Sequence, residues 1–181
     1  MIRPPKLYLK RKDIPLQSLY DLKEAEGAES KAGVYNSKLG PRVDQDTRST
    51  TLKKLDYDLY PDINQCLLNM VQIWDGTLDP KDYYVGEYNY LIYNEGDHFT
   101  KHKDVINNGS NKVRIFSTST IISYTEDFEG GEFRIWSNDG FNQNIDLQPG
   151  ETVFFDSNTQ HQVFPVKKGT REVLVAWIYK K

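Results

Sequence analysis

The chain has 181 residues, of which 38% are hydrophobic, 27% charged and 13% aromatic, with a formal net charge of -3 and a pI near 5.6. This composition excludes a chain disordered throughout and a broadly cationic nucleic-acid binder, and the length fits one domain that buries about two-thirds of its unfolded surface. Cys66 is the only cysteine, so there is no intrachain disulfide framework, and no segment reaches the roughly 18 apolar residues of a membrane span or the run of a signal peptide. A soluble, cytoplasmic protein is expected.

In chain order, the first feature is the basic run Lys6 to Lys12, read as a solvated face that an acidic partner or nucleic acid could touch. Ile14, Leu16, Leu19, Tyr20 and Leu22 then form a short amphipathic pattern. The stretch from Glu26 to Thr51 contains Gly and Ser without a clear period and reads as a long loop. Pro61 suits the first turn of a helix, and Ile63, Leu67, Leu68, Val71 and Ile73 make one apolar stripe, which predicts a helix from Pro61 to Trp74.

The character changes near residue 82. Beyond it, runs rich in Tyr, Val, Ile and Phe alternate with turn signals at Asn94 to Gly96, Asn107 to Ser110, Gly130-Gly131, Asn138 to Gly140, Pro149-Gly150 and Lys168-Gly169. Asn108-Gly109-Ser110 is also a glycosylation sequon, but it reads better as a tight turn. Strands are predicted at Tyr88 to Tyr93, His98 to Asp104, Val113 to Tyr124, Glu132 to Trp136, Asn144 to Leu147, Thr152 to Phe155, Gln162 to Val166 and Arg171 to Tyr179. About eight strands suit a double-sheet jelly roll. The expected organisation is one domain over 1–181, with a helical and loop support (1–82) and a β core (83–181).

The last strand carries the most information. Arg171, Val173, Val175, Trp177 and Tyr179 alternate with Glu172, Leu174, Ala176 and Ile178, so both faces are largely apolar and something must cover the outer one. The Pro61 helix is the natural cover, giving a mostly β fold with N-terminal helices packed on one sheet.

His102-Lys103-Asp104 places an imidazole and a carboxylate two residues apart, on one side if the strand continues through them. With 26 acidic residues in the chain, chance alone can supply such a pair. His161, far along the chain and just before a strand, adds a third ligand, and two His with one carboxylate is the open facial set of non-haem Fe(II) oxygenases. Zinc is the competitor, but it favours closed or tetrahedral sites. Arg171 follows ten residues after His161, and a buried Arg needs an anion. That anion is either an internal Asp or Glu or the distal carboxylate of 2-oxoglutarate.

Four motifs in order then resemble the prolyl-4-hydroxylase-like branch of the 2-oxoglutarate and Fe(II)-dependent oxygenases. They are Tyr93-x-x-Gly96-x-x-Phe99-x-x-His102-x-Asp104, Gly130-Gly131-Glu132-Phe133, Pro149-Gly150 with Val153-Phe154-Phe155, and His161-x-x-x-Pro165-Val166-x-x-Gly169-x-Arg171. The resemblance covers about residues 83 to 181, and more faintly Arg48-Ser49. It implies a double-stranded β-helix of the jelly-roll, cupin-like kind, with His102, Asp104 and His161 as catalytic metal ligands. It also implies that Arg171 and Tyr93 hold the co-substrate, and that Fe(II), 2-oxoglutarate and O2, with ascorbate as an accessory, serve the reaction. Succinate and CO2 are the implied products, and prolyl residues of a peptide or protein the implied substrate. Arg171 fits oxygen-sensing and microbial relatives better than collagen-type members, which usually carry Lys there. Asp104 supplies the carboxylate that halogenating relatives lack, so hydroxylation is the implied reaction.

Two other readings stay open: the same chemistry on another side chain, a free amino acid or a nucleobase, and a non-catalytic jelly-roll module whose histidines bind zinc or nothing. His98 shares the parity of His102 and Asp104 and is read as a rim residue. Thr118, Thr120 and Tyr124 are candidate pocket residues, Trp136 and Trp177 core residues, and Val105 to Lys112 with Glu26 to Thr51 candidate lids.

Overall fold

The computed structural model describes residues 6–36, 40–105 and 113–181. The Asn107 to Ser110 turn signal, and with it most of the Val105 to Lys112 loop, lies outside them. The elements in chain order are β1 (Leu9–Arg11), α1 (Leu16–Glu24), β2 (Glu29–Lys31), β3 (Val34–Asn36), β4 (Gly40–Arg42), β5 (Arg48–Ser49), β6 (Thr51–Leu55) and α2 (Pro61–Trp74). They continue with β7 (Tyr83–Tyr93), β8 (His98–His102), β9 (Arg114–Tyr124), β10 (Glu129–Gly130), β11 (Phe133–Trp136), β12 (Asn142–Ile145), β13 (Thr152–Asp156), β14 (Gln160–Val163), β15 (Val166–Lys168) and β16 (Arg171–Lys180).

A large sheet runs β1-β13-β9-β16-β7-β6-β2 and a smaller one β12-β11-β14-β8-β5, and the strand pairings are antiparallel. The sheets face each other across one apolar cluster, to which Leu91, Ile121 and Val173 come from the large sheet and Phe133, Ile135 and Val163 from the small one. This is the jelly-roll arrangement, mostly β, with helices on one outer face.

β16 forms the axis of the large sheet, bonded to β7 on one side and β9 on the other. Its alternation works as the sequence requires. Leu174, Ala176 and Ile178 are fully buried under the helices, while Val173 and Val175 join the cluster between the sheets. α2 starts at Pro61, whose missing N–H costs nothing in a first turn, and Asp62 complements the N-terminal dipole. The stripe it buries is Ile63, Leu67, Met70 and Val71, one face at helical spacing; Ile73 lies outside it, 43% exposed.

α1 docks Leu19 and Leu22 into the same layer. Its C-terminal carbonyls would otherwise lack partners at an apolar boundary. Lys53 of β6 answers them: its buried ammonium donates to the carbonyls of Leu22, Lys23 and Ala25 at 3.5, 3.0 and 2.8 Å. The helix is thus tied to the sheet by charge as well as by burial.

The N-terminal part differs from the helical and loop support expected of residues 1–82. Glu26 to Thr51 is not one long loop, because β2 to β5 fall within it. Leu9–Arg11, inside the basic run, is an edge strand on β13, and Thr51–Leu55 pairs with β7. Short edge strands carry too little alternation to be read from sequence, since their partners complete them. Two predicted strands also shorten: β8 stops at His102, and Gln162 to Val166 divides around Pro165, which cannot donate to a ladder. Among the described residues no helix is long and apolar enough to cross a membrane.

Leu67 is fully buried between α2 and the sheet. Leu67→Ala is expected to lower unfolding stability by about 2–5 kcal/mol, measured by urea denaturation. A loss below about 1 kcal/mol would show that α2 is not a structural cover.

Candidate metal centre

β8 and β14 are neighbours in the small sheet, and their register sets His102 directly opposite His161. Both side chains point between the sheets, with ring centroids 4.2 Å apart. Asp104 reaches the same spot by a different route. It lies two residues beyond the end of β8, where the backbone N–H groups of Asp104 and Val105 donate to the carbonyl of Ser157 at 2.9 and 3.0 Å. Ser157 is itself anchored by Ser117 of β9 through their hydroxyls at 2.8 Å. The strand expected to run through Asp104 is therefore a strand end plus a pinned loop.

Nε2 of His102 lies 3.4 Å from one oxygen of Asp104, and Nε2 of His161 lies 3.5 Å from the other. One ligand atom from each residue falls within 4.8 Å of the others, close enough to share an ion. Each imidazole is oriented from behind. Nδ1 of His102 contacts the Thr100 carbonyl at 2.6 Å and Nδ1 of His161 the Thr159 carbonyl at 3.0 Å. An Nδ1–H spent on a carbonyl leaves the Nε2 lone pair aimed at the shared point.

Trp177 of β16 completes the support. Its indole N–H donates to Oδ2 of Asp104 at 3.0 Å, fixing the rotation of the carboxylate. The sequence placed Trp177 on the same strand face as Arg171 but gave no sign of this bond, because Asp104 arrives on a distant loop. Arg114 stacks on the face of that indole, 3.7 Å from the ring centroid, and pairs with Glu87 at 2.9 Å. Phe99 stacks on His102 at 3.4 Å, while Phe155 and Phe133 flank His161 at 4.7 and 5.6 Å.

Burial pushes the His102 pKa down, and His161 adds to this against the opposite pull of Asp104. Burial alone would raise Asp104, but the two imidazoles outweigh it and hold the carboxyl well below its ordinary value. A neutral imidazole beside an ionised carboxylate is the state that binds a metal ion.

The cavity inside these groups is walled by Leu91, Phe133, Phe155, Val163, Val173 and Val175, and Tyr93 and Arg171 border it. Arg171 is only 2% exposed, yet its Nε has no hydrogen-bond partner and its Nη1 reaches only the Gly131 carbonyl, at 3.4 Å. No ion pair among the described residues includes it, and the residues not described contain no Asp or Glu. An internal carboxylate does not answer it. Arg171 and Tyr93 are cross-strand partners, with the guanidinium carbon 5.5 Å from the Tyr93 ring. The Gly130-Gly131 turn shapes this end. Both glycines have positive φ, and a Cβ at Gly130 would lie 2.7 Å from backbone atoms of Pro165 and Lys167.

The remaining candidates separate. His98 turns its ring nitrogens to the carbonyls of Gly96 and Asp46, away from the cavity. Thr118 borders the cavity, Thr120 pairs with the Thr152 hydroxyl, and Tyr124 lies in a second cavity behind Arg171, donating to the Leu147 carbonyl at 2.8 Å. Trp136 faces outward, with Lys101 4.8 Å above its ring.

Comparison with known proteins fits this geometry. The family model of the 2OG-Fe(II) oxygenase superfamily matches residues 88–179, half of the chain. The chain belongs to that superfamily. Members take Fe(II), 2-oxoglutarate and O2, and two features of this chain fit them: the His-Asp-His donor set, and a buried guanidinium without an anion.

A PKHD-type hydroxylase of Pseudoalteromonas atlantica is 27% identical over 165 residues, 87% of this chain, and the chain spans 66% of that relative's length. The viral collagen prolyl hydroxylase of Paramecium Bursaria Chlorella virus-1 superposes with a TM-score of 0.70 at 15% identity, covering 97% of both chains. A Trichoplax adhaerens prolyl hydroxylase, solved with a hypoxia inducible factor oxygen degradation domain peptide fragment, gives 0.67 at 15% identity, covering 96% of this chain and 83% of its own. At these identities the two structures show a shared fold.

Trp177→Phe keeps an aromatic ring and removes the N–H. It is expected to weaken binding of Mn(II), a non-oxidising stand-in for Fe(II), by about tenfold to a hundredfold with little change in melting temperature. Undiminished affinity in calorimetric titration would deny the indole this role.

Proposed function

We propose that this oxygenase is a 2-oxoglutarate- and Fe(II)-dependent hydroxylase of prolyl residues in a peptide or protein, releasing succinate and CO2. The observation that carries the reading is the pairing of two features across one cavity: an open His102-Asp104-His161 donor set, and the buried guanidinium of Arg171, which has no carboxylate partner and an unanswered Nε. The names of the relatives support the prolyl substrate, as does the peptide held by the Trichoplax protein.

In this reading His102, Asp104 and His161 hold iron, which when bound supplies the activation of O2 against 2-oxoglutarate. Arg171 binds the distal carboxylate of 2-oxoglutarate through its planar fork, and the Tyr93 hydroxyl donates to the same group. Trp177 keeps Asp104 turned toward the ion. The Phe and Val walls exclude water around the reacting groups. No protein acid or base is required, so the protein contributes orientation and dryness. Ascorbate serves as accessory reductant.

Incubation under air with Fe(II), 2-oxoglutarate and ascorbate is expected to yield succinate, and proline-containing peptides to gain one oxygen by mass spectrometry. His102→Ala and His161→Ala should each abolish both. Arg171→Ala should raise the 2-oxoglutarate requirement by about tenfold to a hundredfold while Mn(II) binding is kept. Equal loss of metal and co-substrate would remove the role assigned to Arg171, and a mass gain confined to peptides without proline would overturn the prolyl assignment.

A further inference from the structure

Arg171 is one of two buried arginines with an unanswered Nε; Arg48 is the other. It sits on β5, opposite Phe99 of β8, and is 7% exposed. Its guanidinium carbon lies 4.5 Å from the Phe99 ring, and Phe99 stacks on His102. One aromatic ring therefore links the guanidinium to a metal-site imidazole. Nη1 of Arg48 donates to the carbonyl of Gly33 at 3.1 Å. As with Arg171, no ion pair among the described residues includes it, and the residues not described contain no carboxylate side chain.

Arg48 borders two spaces. It lines the inner cavity with His102 and His161, and also a groove outside it that touches Asp104, Trp177 and the rim lysines Lys54 and Lys103. The charge of that groove is lopsided. Glu87 is engaged by Arg114, and Asp104 belongs to the metal site. Arg48, Lys54 and Lys103 then remain without a carboxylate among the described residues, Lys103 having only the Asn158 amide, at 3.0 Å. A desolvated guanidinium held beside a metal site without a counter-ion is costly unless a ligand supplies one.

We propose that the substrate carries a carboxylate close to the carbon that is hydroxylated, and that Arg48 receives it. This rests on the hydroxylase reading above and narrows its substrate to an acidic one. The 2-oxoglutarate carboxylate is already answered by Arg171, so Arg48 serves the second organic molecule in the site. A single enclosed guanidinium matches one negative charge held in a bidentate fork, while Lys54 and Lys103 at the rim attract the ligand from solution. The carboxylate comes either from an acidic residue beside the target proline or from the α-carboxylate of a free amino acid.

The test uses the full chain loaded with Mn(II) and 2-oxoglutarate, so that binding is read without turnover. Co-substrate binding is measured first. If 2-oxoglutarate does not bind the Mn(II)-loaded chain, the hydroxylase reading itself fails, and this inference with it. Calorimetry then compares blocked proline peptides bearing Glu at each flanking position with the same peptides bearing Gln, and free L-proline with L-prolinamide. One carboxylate ligand is expected to bind at least tenfold more tightly than its neutral counterpart. That gap should close in Arg48→Gln and persist in part in Arg48→Lys, which keeps the charge but loses the fork. The pair that shows the gap identifies the source of the carboxylate. Melting curves and Mn(II) affinity serve as folding controls, and if Arg48→Gln is unfolded, Arg48→Lys alone must reduce the gap. Charge-blind binding by the wild type, or a gap that survives removal of the guanidinium, overturns the proposal and leaves the hydroxylase reading in place.

Discussion

Register between β8 and β14 governs the whole site. Because side chains alternate along a strand, a slip of one residue would turn His102 or His161 to the outer face and bring Lys101 or a Gln inward. The register is held by more than its own hydrogen bonds. Phe99 and Val163 pair on the same inner face, brought there by a register irregularity between them and the histidine pair, and β11 locks β14 from the other side through Ile135 opposite His161. The apolar cluster between the sheets thus fixes where two imidazoles meet, and Asp104 need only be delivered to a point already defined.

Delivery of Asp104 illustrates how a jelly roll divides its labour. The small sheet supplies both histidines, while the large sheet supplies the indole that orients the carboxylate and, through Ser117 and Ser157, the anchor of its loop. A site built across the gap is rigid only if the two sheets keep their spacing. Aromatic rings of Phe133 and Phe155, one from each sheet, fill that gap at 5.8 Å centroid separation. The cost of close packing is that charged groups inside must be answered one by one, which is why Arg171 and Arg48 stand out against their apolar surroundings.

Much of this was legible in the sequence, for identifiable reasons. β16 is long and apolar on both faces, so its alternation announced a covered central strand, and the α2 helix announced its cover through Pro61 and an apolar stripe. His102, Asp104 and His161 were legible as a set because few histidines exist to confuse them. The short strands of the N-terminal part were not, since two or three residues bear no period of their own. Trp177 could be placed on the strand face of Arg171 but not given a partner, and Arg48 carried only a faint resemblance. Both depend on contacts between segments far apart in sequence, which no local pattern encodes.

Lys53 couples the cover to the chemistry in another way. Its ammonium is enclosed by the end of α1 on one side and lies 4.5 Å from the Tyr90 ring on the other. Peeling the helix from the sheet would break these charge-assisted hydrogen bonds together, so partial opening at this edge costs more than contact area alone suggests. β6, which carries Lys53, is hydrogen-bonded to β7, and β7 ends at Tyr93 on the cavity wall. The end of the first helix is therefore joined to the pocket wall through two hydrogen-bonded strands, β6 and β7.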